Sequence, residues 1–213
     1  AFTMSNFWYT DFTDGYTGWS LYGPEQTHNA QNIADILSAY RNPKITKSAA
    51  MGIIGNMTWE SGLNTGQWEH GYNMDPSSGF GLAQWTPSTK FSNWAGSTSM
   101  EIMCDGDLQM EFLLENDPNQ WSTYYVDMNT GYSSYYDVTV PILYTIGDYF
   151  ESNEDPETLA VAWMVYWERG SAEYAHFEER QQYARYWYDH LKYFNLYWLI
   201  AKAAKEWRIN GKY

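Results

Sequence analysis

The acidic side chain with the most informative surroundings is Glu60, in the run Gly55-Asn56-Met57-Thr58-Trp59-Glu60-Ser61-Gly62-Leu63-Asn64. It follows Met57 by three residues and Ile53 by seven, so a helix through this run carries the carboxyl on its apolar stripe. Desolvation disfavours the charged form, and a carboxyl so placed keeps its proton to higher pH. Such a proton donor is what cleavage of a glycosidic bond requires, because the leaving oxygen must be protonated as the bond breaks. The same placement equally suits a buried glutamate satisfied by backbone amides, and from this run alone both readings stay open.

Other reactive patterns are incomplete. Glu173-x-x-His176 is half of a di-iron signature without its second copy. Asp105-Gly-Asp107 lacks the spacing and closing glutamate of a calcium loop. No His-Glu-x-x-His, Gly-x-Ser-x-Gly or phosphate-binding glycine loop occurs. The single cysteine, Cys104, excludes a disulfide framework or thiolate metal cage within the chain, and is expected half-buried and inert. Neither a metal nor a cofactor is therefore expected. A net charge of −14 argues against nucleic acid, which needs basic surface to displace counterions. The longest apolar run, Leu159 to Trp167, is bounded by Glu157 and Glu168 and is too short to span a bilayer. The first Lys or Arg is Arg41, so no signal peptide of the usual kind is expected.

The elements that must position Glu60 read as helices. Ile33, Ile36, Leu37 and Tyr40 recur at helical spacing from Asn29 until Pro43. Thr46 or Ser48 can cap a second helix over about 49–60. Gly62, Gly66, Gly71, Gly79 and Gly81 then mark a loop or small irregular sheet carrying Gly79-Phe80-Gly81-Leu82-Ala83-Gln84-Trp85-Thr86. Helix is expected again over 107–114, from Pro141 to Phe150, over 156–168 with Asp155 and Pro156 at its start, and over 178–207 with a break near Asn195. Residues 118–137 read as a Tyr/Ser/Asn-rich connection and 1–28 as an aromatic cover. With 213 residues and 44% apolar content, the chain suits one compact domain, with or without an appendage. Its 12 Trp and 20 Tyr are about triple ordinary usage, and serve either an aromatic core or stacking against sugar rings.

Charge is uneven. Between Lys90 and Arg169 lie 14 acidic residues and no Lys or Arg, whereas 192–213 holds five basic residues and one acid. That tail reads as a solvated basic helix or a linker.

The order Glu60-Ser61-Gly-Leu-Asn64, a Gly-rich loop, and Gly79-Phe-Gly81-Leu-Ala-Gln84-Trp85 resembles the lysozyme and lytic-transglycosylase superfamily. The closer resemblance is to the phage tail lysozyme family. Its marks are Gly52-Ile-Ile-Gly55-Asn56 before Glu60, Gln84-Trp85-Thr86-Pro87 after it, and Asp107-Leu108-Gln109 leading into Phe112-Leu113 and Glu115. Leu159-Ala160 through Tyr166-Trp167-Glu168-Arg169, then Arg180, Tyr183 and Ala184, extend the likeness to about residues 29–190. The resemblance implies a mainly helical α+β, lysozyme-like fold with a small irregular sheet beside the catalytic helix. Residues 1–191 would form the glycan-cleaving domain and 192–213 the tail.

It further implies that Glu60 is the catalytic glutamate, and that Gln84 and Trp85 line the sugar cleft, although both also fit a purely structural turn. Ser61, Trp59, Trp68 and Tyr72 are expected beside them as substrate contacts. A hydrolase needs a second carboxylate to stabilise the oxocarbenium-like centre or activate water. Asp75 is preferred over Glu69; both lie in the loop, and both also fit plain turn or surface roles. Without either, a single-glutamate lytic transglycosylase would result. Glu168 is expected to pair with Arg169 or Arg180 and to hold the helices around the site.

The activity expected is a peptidoglycan glycosidase of muramidase type, from a phage tail lysin or endolysin, with a non-catalytic glycan-binding virion module as the rival. Its partners would be bacterial peptidoglycan and other lysin or tail subunits, or a separate wall-binding domain. It would reside in the virion tail, or in host cytoplasm before release to the wall.

Overall fold

The structure is a computed structural model and describes residues 6–10, 21–40, 43–69, 75–117, 120–191 and 194. Helix α1 (Pro24–Ala39) begins earlier than the periodicity suggests, because Pro24 at its first position needs no N–H partner and pre-sets φ. Residues 6–10 lie against it. Asn29 on α1 holds both the N–H and carbonyl of Trp8, and Asn64 holds those of Thr10. The remainder of the expected cover lies largely outside the described residues.

Helix α2 (Lys47–Ser61) starts at Thr46, whose hydroxyl accepts the Ala49 N–H, and ends where Gly62 takes the left-handed conformation. It is the central element, packed between α7 (Pro156–Trp163) and α8 (Phe177–His190). Close approach on both sides depends on two glycines. A Cβ on Gly52 would lie 3.0 Å from the Leu159 carbonyl carbon, and one on Gly55 would lie 2.7 Å from both the Arg180 carbonyl oxygen and the Ala184 nitrogen. The spacing Gly52-x-x-Gly55 is thus a helix-packing device.

After α2 the chain forms the irregular sheet expected beside it, with Phe80 bridging both Trp68 and Trp85. Gln109 on α5 (Gly106–Glu111) pins this loop by accepting the Leu82 N–H and donating to the carbonyls of Thr65 and Met103. Two further short helices, α3 (Thr89–Ala95) and α4 (Met100–Met103), had no sequence expectation, since one or two turns give too little periodicity to read. A π-helical turn, Phe112–Asn116, continues α5.

The connection expected over 118–137 contains the first strand of a regular hairpin, β1 (Tyr132–Ser133) paired antiparallel with β2 (Val138–Thr139). Helix α6 (Ile146–Glu151) starts later than Pro141, because the reciprocal bonds of Thr145 and Asp148 fix its first turn. Helix α7 runs into a π-helical turn, Met164–Glu168, closed by Arg169 at φ 53°. Helix α8 stops at His190 rather than continuing to 207. The chain turns there, burying Leu191 and packing Phe194 against the core; nearly all of the expected basic tail lies outside the described residues. The protein is mainly helical with a small sheet, the α+β class expected. No described helix is long and apolar enough to cross a membrane.

Candidate active site

Glu60 sits in the last turn of α2, its side chain 20% exposed, and its Oε1 accepts from Arg180 on α8 at 2.7 Å. The buried guanidinium is held at all its nitrogens. Nε donates to the Ala175 carbonyl (2.7 Å), one terminal nitrogen to Asn56 Oδ1 (2.9 Å), and the other to Glu60. Asn56 lies one turn before Glu60 on the same face, fully buried, and its amide nitrogen donates to the carbonyls of Gly52 and Ala160. One network therefore joins α2, α7 and α8, and a charge taken out of water is met by bonds on every side.

Glu168 ends the π-helical turn after α7, close enough for its charge to couple with that of Glu60. Burial first, then the negative charge of Glu60, push the Glu168 carboxyl well above the usual carboxylate range; Arg180 and the Trp163 indole act in the opposite direction. Its Oε1 is sealed from solvent and has no hydrogen-bond partner. The ion pair expected for Glu168 does not form: Arg180 gives its second terminal nitrogen to Glu60, and Arg169, whose backbone is left-handed, has its own Nε unpartnered. Among the described residues the centre thus brings together the solvent-reachable Glu60 carboxyl, a Glu168 carboxyl whose burial favours its neutral form, and the fixed positive charge of Arg180.

Trp59 is half-buried and lies flat on His176 (centroids 4.1 Å apart, planes 26° apart), the residue that leads into α8. Of the other expected contacts, Trp68, Trp85 and Ser61 are buried and Gln84 is half-buried. Trp68 and Trp85 are each 3% exposed, the first against Phe80 and the second among Phe91, Phe112 and Trp167. Their ring faces are spent in the core, so they support the cleft instead of stacking on a ligand. Ser61 is fully buried, its hydroxyl at the carbonyls of Met57 and Leu82. The Gln84 amide donates to the carbonyls of Gln67 and Gly81, at φ 51°, and so shapes the turn. Tyr72 lies outside the described residues.

The two candidates for a second carboxylate are also engaged in the loop. Asp75 is in an exposed turn where the backbone N–H and hydroxyl of Ser77 both donate to it and hold it below the usual carboxylate range. The Glu69 carboxylate accepts the Gly79 N–H, while the Glu69 N–H donates to the Gly79 carbonyl. Neither bonds to Glu60. Sequence reasoning gave Asn56 no role of its own and expected Arg180 beside Glu168, whereas the structure pairs it with Glu60. The usable signal was the four-residue spacing Asn56–Glu60, which places two polar groups on one face of an apolar helix.

Comparison with known proteins bears on this geometry. A 78-residue stretch is 44% identical to morphogenesis protein 1 of Bacillus phage B103, taking in 36% of this chain but only 20% of that protein, so the match spans about a fifth of the relative's length. A family model described as phage tail lysozyme matches residues 28–191, which includes α2 with Glu60, the loop pinned by Gln109, and both helices that hold Arg180. The chain with this buried arginine and carboxyl pair belongs to the phage tail lysozyme family.

Proposed function

We propose that the chain cleaves the β-1,4 glycosidic bonds of bacterial peptidoglycan, with Glu60 as the general acid, so that a phage can lyse or penetrate the wall. The observation that carries this reading is the position of Glu60: a helix-ending carboxyl, reachable from solvent, within a chain segment that matches the family as a whole. Glu60 hands its proton to the leaving glycosidic oxygen as the C–O bond breaks, and Arg180 then faces the carboxylate left behind. Burial and the nearby Glu60 charge favour the neutral form of Glu168, which limits a second negative charge beside the reaction. The muramidase form completes the reaction with water at the sugar C1.

A second reading has a specific observation in its favour. Asp75 and Glu69 are both tied into the loop, and if no other carboxylate than those of the described residues serves opposite Glu60, the 6-hydroxyl of the substrate itself attacks C1. The chain would then be a lytic transglycosylase.

Mass spectrometry of fragments released from purified peptidoglycan distinguishes these, with Glu60→Gln as the control. Reducing muramic ends lost in the variant support the muramidase. Ends lighter by one water, as 1,6-anhydro sugars, support the transglycosylase. No fragments from the unmodified chain would sink both and leave a glycan-binding virion module.

A further inference from the structure

Helix α8 begins at a residue that does not cap it. His176 stands at the capping position with φ 48° and ψ 49°, and its side chain makes no capping bond. Serine, threonine, asparagine or aspartate ordinarily serves there, because a short polar side chain meets the first free backbone N–H groups. A left-handed backbone is strained for a residue with a Cβ, although histidine tolerates it better than most. Such strain persists only where the surrounding structure enforces it, and strained positions collect at functional sites.

The imidazole is turned across to α2, where it lies on the Trp59 indole with centroids 4.1 Å apart and planes 26° apart. Its Nδ1 is 3.7 Å from a Glu179 carboxylate oxygen, a charge contact whenever the ring is protonated. Both partners in the stack continue into the candidate active site through their covalent neighbours. Trp59 directly precedes Glu60 in the last turn of α2. Ala175, directly before His176, accepts Arg180 Nε at its carbonyl (2.7 Å), and the His176 carbonyl accepts the Arg180 backbone N–H. Arg180 in turn meets Glu60 at 2.7 Å. A circuit results, from Glu60 through Trp59, His176, Ala175 and Arg180 back to Glu60.

The links of this circuit differ in stiffness. Glutamate and arginine have long, rotatable stems, so their contact alone would place the carboxyl loosely. Two flat rings on short stems have few torsions to lose, and their stack fixes the start of α8 against the end of α2.

We propose that His176 is a positioning residue for cleavage at Glu60: its ring, laid on Trp59, fixes the Ala175 carbonyl and with it the Arg180 guanidinium that the Glu60 carboxyl faces. The inference rests on the glycan-cleaving reading and gives His176 no contact with the sugar. Two variants of the full chain separate the ring from the backbone. His176→Asn keeps a residue that accepts the left-handed conformation but has no ring to stack, whereas His176→Phe keeps a flat ring at greater backbone strain. Fragment release from soluble glycan strands should show kcat lowered about 10–10²-fold in His176→Asn with KM little changed, the scale of a reacting group displaced by up to about 1 Å. His176→Phe should recover most of that loss while melting at the lower temperature of the two. Activity and stability then rank the variants in opposite orders, which a purely structural histidine does not produce. The Arg180 Nε–H proton resonance reads the bond to Ala175 without catalysis; it should shift in His176→Asn and return in His176→Phe. Should His176→Phe fail to fold, His176→Asn decides alone through its kcat, its KM and the Arg180 resonance. Unchanged kcat in His176→Asn, activity that tracks melting temperature, or a raised KM with kcat intact would each overturn the positioning role while leaving cleavage at Glu60 standing. No fragments from the unmodified chain would overturn both.

Discussion

At the scale of single residues, the site depends on how charge is shared among Glu60, Glu168 and Arg180. Glu60→Gln should lower fragment release by about 10²–10⁴-fold, the usual worth of a general acid, and should also lower the melting temperature, because it leaves the buried Arg180 guanidinium without its anion. Glu168 gives a prediction of opposite character. Its carboxyl is raised above its unfolded value, so the stability it lends is complete at acid pH and is lost as pH rises through the raised value. Melting temperature should therefore fall as pH rises above the ordinary carboxylate range in the natural chain, and Glu168→Gln should flatten that decline. A decline of equal slope in both proteins would remove Glu168 from the account. Arg180→Met leaves Asn56 and Glu60 without their cation and should cost about 3–5 kcal/mol by denaturant titration, because an uncompensated buried group remains.

At the scale of elements, α2 can carry the site only because two helices reach its backbone. Gly55→Ala adds one methyl group against the backbone of α8, which cannot yield as a flexible side chain would. It should cost about 1–3 kcal/mol and displace Arg180, reducing activity by more than the stability loss explains. Asp155, which caps α7 through the Thr158 N–H, is held below the usual carboxylate range by that bond. Asp155→Ala should cost about 1 kcal/mol at neutral pH and nothing once acid has protonated the native side chain, as thermal melts across the acid range would reveal. The main helices around the site were legible in the sequence because Ile33, Ile36 and Leu37, or the run from Leu159, mark a buried face directly. The hairpin and helices α3 and α4 were not, since each is too short to repeat a pattern. Trp68 and Trp85 illustrate a different limit: composition reveals that rings are plentiful, whereas only packing decides which of them face outward. Glu60 was legible because its spacing sets a charge against an apolar stripe; its partner Arg180 lies 120 residues away, where no local pattern reaches.

At the scale of the whole molecule, a net charge of −14 sets how the chain approaches a wall. Walls bearing anionic polymers should repel it, and salt should relieve this by shortening the screening length from about 30 Å at 0.01 M to about 8 Å at 0.15 M. Lysis of intact walls should therefore quicken over that range, and walls stripped of anionic polymer should lose the effect. A rate that falls with salt on both substrates would point instead to attraction through basic residues.

The bond from Asn56 to Arg180 closes a loop of 124 residues, and Arg180 meets the Glu60 carboxyl only when that loop is shut. Under the proposed function, activity should therefore be the last property acquired during folding, since ordering so long a stretch of chain must precede any return from the contact. A chain that has formed its helices but not docked α8 has no working centre. In refolding from denaturant, recovery of far-ultraviolet helix signal should accordingly run ahead of recovery of catalysis, which makes the arginine tether a timer as well as a brace.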